Sequence, residues 1–529
     1  MVNKITKKIS DLLIKYNAIC LITVFAVFLF SRLFRLGVIP AGIHYDEAGM
    51  AFDAKSLAVY GTDRHNNSFP LYLPAYGGGQ SAMYAYLLAL LLKFIPFSMF
   101  TMRLPAVICG CFAFFLIYLL IRDMWEDKLW ALLGPIMVTI IPYFMMSERW
   151  ALDCNLFLSL SIVSFYIFYK AIISNKTGWY IGAGIALGLT LYTYILSYIV
   201  IPIFLLITFI YLVIIRKLEL KKWIIACIPL GILALPLILM QLINSGMIRP
   251  FSFWIFDFPK LGFYRGTEFS ILAMYKHLNK IWQMLYPGSS DTFNYINKFG
   301  PIYIIMIPFV IAGFILTVVE TIKDVRTKSV NAYIMILAFT IAGYLSIIAI
   351  DSEINIYNAN ELYFMFAVYI IIAMKYIHEK CVYVTPVILS VFAMCFLLFS
   401  NYYFRHYTAE EGMPSMFVST EYFDVVNYTE KYINTEHKPV YYMRSNEHSM
   451  YGDVLVGMGI GANPQYWEEN AENDDVENIH IGFPDHEFDL NDDYIYIMSN
   501  ENYGHIVGYF IEQGWNYNQV FPSYTILFK

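Results

Sequence analysis

Charged residues are scarce in this chain of 529 residues: Asp, Glu, Lys and Arg together make up 14%. An average soluble domain has about 25% charged residues. Hydrophobic residues make up 59%, and the mean hydropathy is +0.55. This composition excludes an ordinary soluble protein. Apolar runs long enough to cross a hydrocarbon layer of ~30 Å recur from Ala18 to Tyr402. The sequence therefore predicts a polytopic α-helical membrane protein.

Cysteine is also rare, and none follows Cys395. The seven cysteines lie in or beside apolar runs, and their spacing fits neither a disulfide framework nor a zinc site. Lys4, Lys7 and Lys8 precede the first apolar run, but no small-residue cleavage site follows it. We interpret this run as a retained anchor. Nothing in the sequence suggests a nucleic-acid partner.

Twelve apolar runs occur, and we predict that eleven of them cross the membrane. The run at 81–95 is short for a span and is assigned to the interface. The loops rich in Lys and Arg then share the side of the basic N-terminus, as the positive-inside rule requires. The N-terminus is thus predicted to be cytoplasmic and the C-terminus extracytoplasmic, in a plasma membrane. The predicted spans are 18–36, 103–121, 129–146, 155–173, 180–196, 198–215, 223–243, 300–320, 332–350, 361–377 and 382–402.

This topology gathers polar sequence on the outer face. Arg32 and Arg35 lie at the outer end of the first span, where each either snorkels to the interface or contacts a phosphate. Residues 403–529 hold 21 acidic and 5 basic residues, whereas the rest of the chain holds 20 and 30. The basic membrane part suits anionic lipids. The predicted outer regions are 37–80, 147–154, 244–299, 351–360 and 403–529.

The chain is predicted to form two domains, a membrane domain at 1–402 and a small α/β domain at 403–529. The latter contains a predicted helix at Asn502–Gln513, with Gly514 ending it. The predicted strands are Pro439–Arg444, Tyr494–Ser499 and Tyr524–Phe528. Three histidines lie near acids, but isolated surface histidines are commoner than metal ligands, so no metal site is assigned to His480, His486 and His505.

The first outer loop carries the most chemistry. Asp46 and Glu47 follow a turn with Pro and Gly just outside the first span, and His44 lies beside them. Paired acids are typical of a helix N-terminus, where the helix dipole favours negative charge. A carboxylate at the membrane surface can also accept a proton from a hydroxyl group. The pair permits a divalent metal ion, although the sequence implies no definite cofactor.

Short motifs follow one another along the membrane part. The first loop contains Pro40–Glu47, Gly61–Asp63 and Phe69–Pro70. Later motifs are Met102–Pro105 with Gly110, Ser147–Arg149 with Asp153 and Asn155, Gly188–Tyr194, and Asn355–Asn360. Their order over residues 15–400 resembles that of membrane glycosyltransferases that use polyprenyl-phosphate sugars. These are the relatives of protein O-mannosyltransferase and aminoarabinose transferase with the GT-C fold.

The resemblance implies a GT-C-like fold, with interfacial helices in the first outer loop. It also implies transfer of one sugar, a hexose or a pentose, from a polyprenyl-phosphate donor to an acceptor hydroxyl. Asp46 would be the catalytic base, with Glu47 beside it. A β-linked donor would be inverted without a covalent intermediate. The acceptor, a protein or a cell-envelope glycan or lipid, stays open. Gly79–Ser81 replaces the Lys-Pro-Pro element of the aminoarabinose branch, which argues against that sugar.

The leaving phosphate needs cations or oriented donors. Arg103 and Arg149, at outer span ends, are candidates to bind it, or they are snorkelling helix-end arginines. Asp153 either pairs with Arg149 along one helix face or binds the sugar or the acceptor. His44 is a candidate sugar contact or an ordinary loop residue.

Asn355 and Asn358 form a polar cluster at the outer mouth of a span. Their amides can bind sugar hydroxyls or phosphate, or they can simply cap the helix that follows. The aromatic loop at 244–299 either helps to close the site or anchors in the headgroup layer.

Two other functions compete with sugar transfer. A transporter or flippase of lipid-linked glycans usually has ionisable groups at mid-membrane and internal repeats. The predicted spans here carry almost no charge at their centres, and no repeat is evident. A non-catalytic relative is the third alternative, and Asp46 with Glu47 argues against it.

Overall fold

In a computed structural model, the chain is mostly helical, and a small sheet domain follows the last long helix. The structure describes residues 14–75, 78–262, 264–267, 269–279, 281–285, 294–351, 354–407, 417–418, 420–434, 436, 438–443, 463–464, 475–476, 479–482 and 490–529.

Among the described residues, seven helices are long and apolar enough to cross a membrane. They are Met99–Trp125, Asp153–Ser174, Ser197–Ile214, Leu220–Asn244, Ile304–Thr327, Ile356–Lys380 and Val384–Arg405. Shorter apolar helices are Asn17–Leu33, Met83–Leu92, Lys128–Ile140 and Ala332–Ile348. The multi-pass membrane architecture is thus confirmed, whereas the count of eleven spans stays a prediction.

The helices are numbered in chain order. The first eleven are α1 (Asn17–Leu33), α2 (Tyr45–Val59), α3 (Met83–Leu92), α4 (Met99–Trp125), α5 (Lys128–Ala131), α6 (Leu133–Ile140), α7 (Pro142–Ser147), α8 (Asp153–Ser174), α9 (Thr177–Thr190), α10 (Ser197–Ile214) and α11 (Leu220–Asn244). The others are α12 (Ile271–His277), α13 (Ile281–Leu285), α14 (Ile307–Thr327), α15 (Ala332–Ile348), α16 (Asn360–Lys380), α17 (Val384–Arg405), α18 (Thr420–Asn434) and α19 (Asn500–Glu512).

Local sequence explains several helix boundaries. The Ser98 hydroxyl accepts a hydrogen bond from the Thr101 amide and so caps the start of α4. Glu126, Asn175 and Lys328 follow α4, α8 and α14 with left-handed backbone, which ends a helix. Helix α3 has ten residues, about 15 Å. That length is too short to cross a membrane, in agreement with its interfacial assignment.

Two short hairpins lie in the loops that are predicted to face outward. Strands β2 (Tyr72–Ala75) and β3 (Gly78–Ser81) pair antiparallel in the loop that carries Asp46. Strands β4 (Phe251–Phe253) and β5 (Phe256–Phe258) pair in the aromatic loop. The two loops touch, because the Asp257 carboxylate accepts a hydrogen bond from the Ser68 amide at 2.8 Å. The aromatic loop is therefore held against the loop that carries Asp46.

The C-terminal part contains a six-stranded mixed sheet, which confirms the prediction of a small α/β domain. The predicted strands appear as β7 (Val440–Met443), β10 (Ile495–Ser499) and β12 (Tyr524–Phe528). They are joined by β8 (Asp475–Val476), β9 (Ile479–Gly482) and β11 (Asn516–Asn518), in the order β11-β12-β10-β7-β9-β8. The predicted helix appears as α19. His486 lies outside the described residues.

This domain also packs directly on the loop that carries Asp46. Strand β1 (Ile43–His44), just before Asp46, pairs antiparallel with β6 (Phe417–Val418). One buried apolar cluster contains Ile43 and Phe52 from that loop together with Val426 and Ile497 from the tail. The two parts therefore share a core, and a domain boundary at 402/403 stays a prediction.

Candidate active site

Helix α2 presents Asp46 within its first turn. His44 is its N-cap: the Nδ1 atom accepts a hydrogen bond from the Asp46 amide at 3.1 Å. Burial lowers the pKa of His44 to about 3, so the ring is neutral at physiological pH. Its role is therefore to orient the start of the helix that carries Asp46. The structure gives no direct indication of a sugar contact at this ring.

Glu47 points away from Asp46 into the protein and is fully buried. Its two oxygens accept hydrogen bonds from Arg103 at 3.0 and 2.9 Å, forming a bidentate ion pair. They also accept hydrogen bonds from the backbone amides of Ala151, at 2.7 Å, and His44, at 3.3 Å. The Glu47 carboxylate is thus fully engaged in joining three segments of the chain.

Arg103 is fully buried as well. Besides Glu47, its guanidinium donates hydrogen bonds to the carbonyls of Leu36, Pro40 and Gly42. These carbonyls belong to the turn that leads from α1 to Asp46. The predicted phosphate contact at Arg103 finds no support in this geometry, because its donors are directed at the chain itself.

Arg149 is also buried and also donates hydrogen bonds to the turn that leads from α1 to Asp46. Its guanidinium donates to the Tyr403 hydroxyl at 3.2 Å, and it is fully buried. It also donates to the carbonyls of Ser31, Arg32, Phe34 and Ile39. These include acceptors that the last turn of a helix leaves without partners. Arg149 therefore fastens the end of α1. Of the two alternatives for Asp153, pairing with Arg149 is not found among the described contacts of Arg149.

A third buried arginine completes this support. Arg32 forms an ion pair with Glu148 at 2.7 Å, and both side chains are buried. The Glu148 carboxyl group packs on Gly110, where an added Cβ atom would lie 2.7 Å from it. A residue with a side chain at position 110 would therefore push the ion pair apart. Sequence analysis found Arg32 and Gly110 but not this partnership.

Asp46 and Asp153 each form a hydrogen bond to a residue of β3, and their charges interact. The Asp153 carboxylate accepts hydrogen bonds from the backbone amides of Ser81 and Cys154, each at 2.7 Å. The neighbouring Gln80 donates its side-chain amide to the Asp46 carbonyl at 3.1 Å. The hairpin thus brings together two carboxylates that lie far apart in sequence. This hairpin includes Gly79–Ser81, which replaces the Lys-Pro-Pro element of the aminoarabinose branch.

The Asp46 carboxylate is partly buried. Its side chain is 31% exposed, whereas Glu47 beside it is fully buried. Burial and then the nearby charge of Asp153 raise the pKa of Asp46 to about 7, against the opposing effects of Arg265 and Arg64. A carboxylate that titrates near neutral pH and stays accessible is suited to accept a proton from a bound hydroxyl group.

Arg265 is a residue that sequence analysis missed. It lies in a short 3₁₀ turn, Arg265–Thr267, within the aromatic loop, and it is partly exposed. Its charge interacts with Asp46 and Asp153, and with the hydroxyl groups of Tyr72, Tyr194 and Tyr357. Arg265 thus lies near enough to act on both Asp46 and Asp153, whereas the hydrogen bonds of Arg103 and Arg149 are directed at the turn before α2.

Asn355 and Asn358 are arranged as a helix cap. The Asn358 side chain accepts a hydrogen bond from the Asn355 amide at 2.8 Å, in a reciprocal capping arrangement. The Asn358 side chain also donates to the Tyr194 hydroxyl at 2.7 Å. Because Tyr194 interacts with Arg265, the capped turn supports the surroundings of the acid pair. A direct sugar contact at either amide stays a prediction.

A second acidic cluster supports the far end of α2. The buried Asp53 accepts a hydrogen bond from the Arg64 amide at 3.0 Å. Asp63 accepts hydrogen bonds from the amides of His65 and Asn67 and so closes a tight turn. Arg64 reaches the Pro74 carbonyl on β2 at 2.8 Å. These contacts fix α2 relative to the hairpin.

Within the part of the chain that the structure describes, no group of three or more His, Cys, Asp or Glu side chains is placed to hold a metal ion. Asp46 has Asp153 as its acidic neighbour, and Glu47 is directed at Arg103. The described acids near Asp46 thus form a pair and no larger ligand set.

Comparisons with known proteins agree with this architecture. Residues 80–243 match the family model described as dolichyl-phosphate-mannose-protein mannosyltransferase. ArnT from Cupriavidus metallidurans in the apo state has a similar fold, with a TM-score of 0.56 and 10% identity over 97% of both chains. The same protein bound to undecaprenyl phosphate gives a TM-score of 0.55 and 11% identity, over 97% of this chain and 98% of that chain.

The apo oligosaccharyltransferase from Archaeoglobus fulgidus is also similar in fold. It gives a TM-score of 0.52 and 11% identity, over 93% of this chain and 71% of that chain. A search of curated proteins gives no match. The predicted resemblance and the predicted GT-C-like fold are confirmed by these likenesses in sequence and architecture.

Proposed function

We propose that this protein is a membrane glycosyltransferase that moves a sugar from a polyprenyl-phosphate donor to an acceptor hydroxyl group. The observation that carries the proposal is the accessible Asp46 carboxylate, with a pKa of about 7, placed beside Arg265. The family match at residues 80–243 and the shared fold with ArnT support the donor class. The donor sugar is a hexose or a pentose in this proposal.

Asp46 acts as the general base. The acceptor oxygen attacks the anomeric carbon, and the acceptor proton passes to the Asp46 carboxylate. The bond between the anomeric carbon and the phosphate oxygen breaks, and polyprenyl phosphate leaves with the bonding electrons. One displacement inverts the anomeric centre, since no covalent enzyme intermediate forms. Asp153 raises the basicity of Asp46 by its negative charge.

Arg265 balances the charge that develops on the leaving phosphate. A guanidinium matches phosphate oxygens bidentately. Arg265 is partly exposed and belongs to a loop that packs on the Asp46 loop, so a phosphate can reach both residues. Arg103 and Arg149 are assigned positioning roles instead, because they hold the turn that carries Asp46.

The reaction is assigned to the extracytoplasmic face. The charge distribution of the loops supports a cytoplasmic N-terminus and an extracytoplasmic C-terminal domain. Helix α2, the aromatic loop and the tail domain then lie on one side of the membrane, where β1 and β6 pair. The acceptor is a protein, a glycan or a lipid of the cell envelope.

The direct test incubates the purified protein with a panel of polyprenyl-phosphate hexoses and pentoses and measures released polyprenyl phosphate. We expect release from at least one donor. Arg265→Gln should lower kcat/KM for that donor by ~10–100-fold, the usual worth of a hydrogen bond to a charged group. Arg249→Gln changes an exposed arginine of the same loop and serves as the control. If the protein releases polyprenyl phosphate from none of the donors, the proposal is contradicted.

The pH dependence of turnover provides a second test. Because the base must be deprotonated, kcat/KM should fall about tenfold per pH unit below a pKa near 7 and level off above it. Asp153→Asn removes a charge that raises this pKa, so the acid limb should move to lower pH. Asp351→Asn, at an exposed carboxylate, is the control. An unmoved limb in Asp153→Asn would show that Asp153 does not act on the base.

A further inference from the structure

A groove runs between the outer ends of α1 and α17. Its volume is about 560 Å³, and its lining includes none of Asp46, Asp153 and Arg265. This volume falls within the ~300–1,000 Å³ that ligand pockets usually have. The groove is lined by Val27, Phe30, Ser31, Phe34, Arg35, Phe396, Leu397, Ser400, Asn401, Phe404 and Arg405.

The walls of the groove face outward from the helix bundle. Phe30 is 60% exposed and Leu397 is 61% exposed, although both belong to apolar helices. In a membrane protein, such residues contact lipid chains. The groove is therefore open along the side on which acyl chains lie.

Polar groups gather toward one end of the groove. Arg35 follows α1, and Arg405 is the last residue of α17, so two cations lie where both helices end. Both arginines are exposed, and neither forms an ion pair with any carboxylate among the described residues. The Ser400 hydroxyl oxygen is buried and has no hydrogen-bond partner in the described part. The groove is thus cationic at one end and apolar along the rest of its length.

Contacts behind the groove hold its two helices together. Phe34 and Phe404 pack edge to face, with ring centroids 5.2 Å apart. Arg149 donates to the carbonyl of Phe34 beyond α1 and to the hydroxyl of Tyr403 on α17. The groove is therefore built on a fixed junction of the two helices.

We propose that this groove binds one anionic glycerophospholipid. The lipid phosphate lies between Arg35 and Arg405, which supply charge and N–H donors. One acyl chain follows Phe30 and Leu397 into the membrane. This site would account for Arg35 at a span end where the charge rule predicts no arginine.

A bound lipid would link two functional parts of the chain. Helix α1 leads into the turn that carries Asp46, and α17 leads into the tail domain. A phosphate that bridges Arg35 and Arg405 would hold the ends of α1 and α17 together. The proposal does not depend on the reaction catalysed at Asp46.

The test uses the full-length protein in detergent and measures bound lipid by native mass spectrometry. Phosphatidylglycerol, phosphatidylcholine with the same acyl chains, and a polyprenyl phosphate are added separately. We expect one phosphatidylglycerol to bind at least tenfold more tightly than phosphatidylcholine. The double variant Arg35→Gln/Arg405→Gln should lose this preference, whereas Arg35→Lys/Arg405→Lys should keep most of it. Arg249→Gln, at an exposed arginine outside the groove, should behave as the unaltered protein does.

A thermal shift measurement adds an independent readout. Since a ligand that binds the folded state raises the unfolding temperature, phosphatidylglycerol should stabilise the unaltered protein and not the double Gln variant. Equal binding of the two phospholipids, or an unchanged preference in the double Gln variant, would overturn the proposal. Tighter binding of polyprenyl phosphate at the same arginines would overturn the assignment to a glycerophospholipid.

Discussion

Asp46→Asn is expected to lower the turnover of polyprenyl-phosphate sugar by ~10²–10⁴-fold, the usual contribution of a general base. Asparagine has almost the same size and can stay in the first turn of α2, but it cannot take the acceptor proton. The neutral His44 ring can still accept the backbone hydrogen bond at position 46, so the helix start is retained. The measurement is single-turnover release of polyprenyl phosphate from a donor that the unaltered protein uses.

The fold of the variant must be checked in parallel. We expect the thermal unfolding temperature of Asp46→Asn to stay close to that of the unaltered protein. This carboxylate is 31% exposed, and among the described residues no Arg or Lys forms a close ion pair with it. Asp351→Asn, at an exposed carboxylate elsewhere, should leave turnover unchanged. Near-normal turnover by well-folded Asp46→Asn protein would exclude this residue as the base.

The membrane architecture could be predicted because it depends on local composition. A long apolar run favours a helix wherever it lies, since backbone groups in lipid must pair within the segment. Helix ends were less predictable. The run at 180–196 overlaps helix α9, which begins at Thr177 and ends at Thr190, and turns lead from there to α10 at Ser197. Hydropathy does not distinguish these turns from helix, because the residues in them are also apolar.

The candidate base could be predicted from residue type and position, but its environment could not. The buried ion pair between Glu47 and Arg103 joins residues that are far apart in sequence. From the sequence alone, each of them is predicted to be a polar residue on the outer face of the membrane. Only the fold shows that they neutralise each other. Arg265 was missed for the converse reason: it lies in an aromatic loop without a motif. The segment 244–299 contains only two arginines in the sequence, so Arg265 could have been considered as a phosphate-binding residue.

The role of the tail was also invisible in the sequence. The runs that form β7, β10 and β12 are rich in β-branched and aromatic residues and are bounded by polar and Gly-rich turns, so the small sheet was predictable. The pairing of β1 with β6 involves two residues from each strand, too few for a pattern to reveal. That pairing places the tail domain against the N-cap of the Asp46 helix. The tail is therefore part of the frame that supports the site.

Arg103→Met should destabilise the folded protein by ~3–5 kcal/mol, because removing one partner leaves the Glu47 carboxylate buried without its counter-charge. Methionine fills much of the space of the arginine stem but supplies no donor to Glu47 or to the turn carbonyls. The measurement is denaturant unfolding of the purified protein in detergent. Arg249→Met, at an exposed position, is the control and should change stability by less than about 0.5 kcal/mol.

The double variant Arg103→Met/Glu47→Gln separates a positioning role from phosphate binding. If the pair serves to hold the Asp46 turn, neutralising Glu47 should recover part of the stability lost in Arg103→Met, because the buried charge is gone. If Arg103 instead binds the donor phosphate, its replacement should raise KM, and Glu47→Gln should recover none of that loss. The geometry favours the first result, since every described hydrogen bond of the Arg103 side chain ends on Glu47 or on the turn itself.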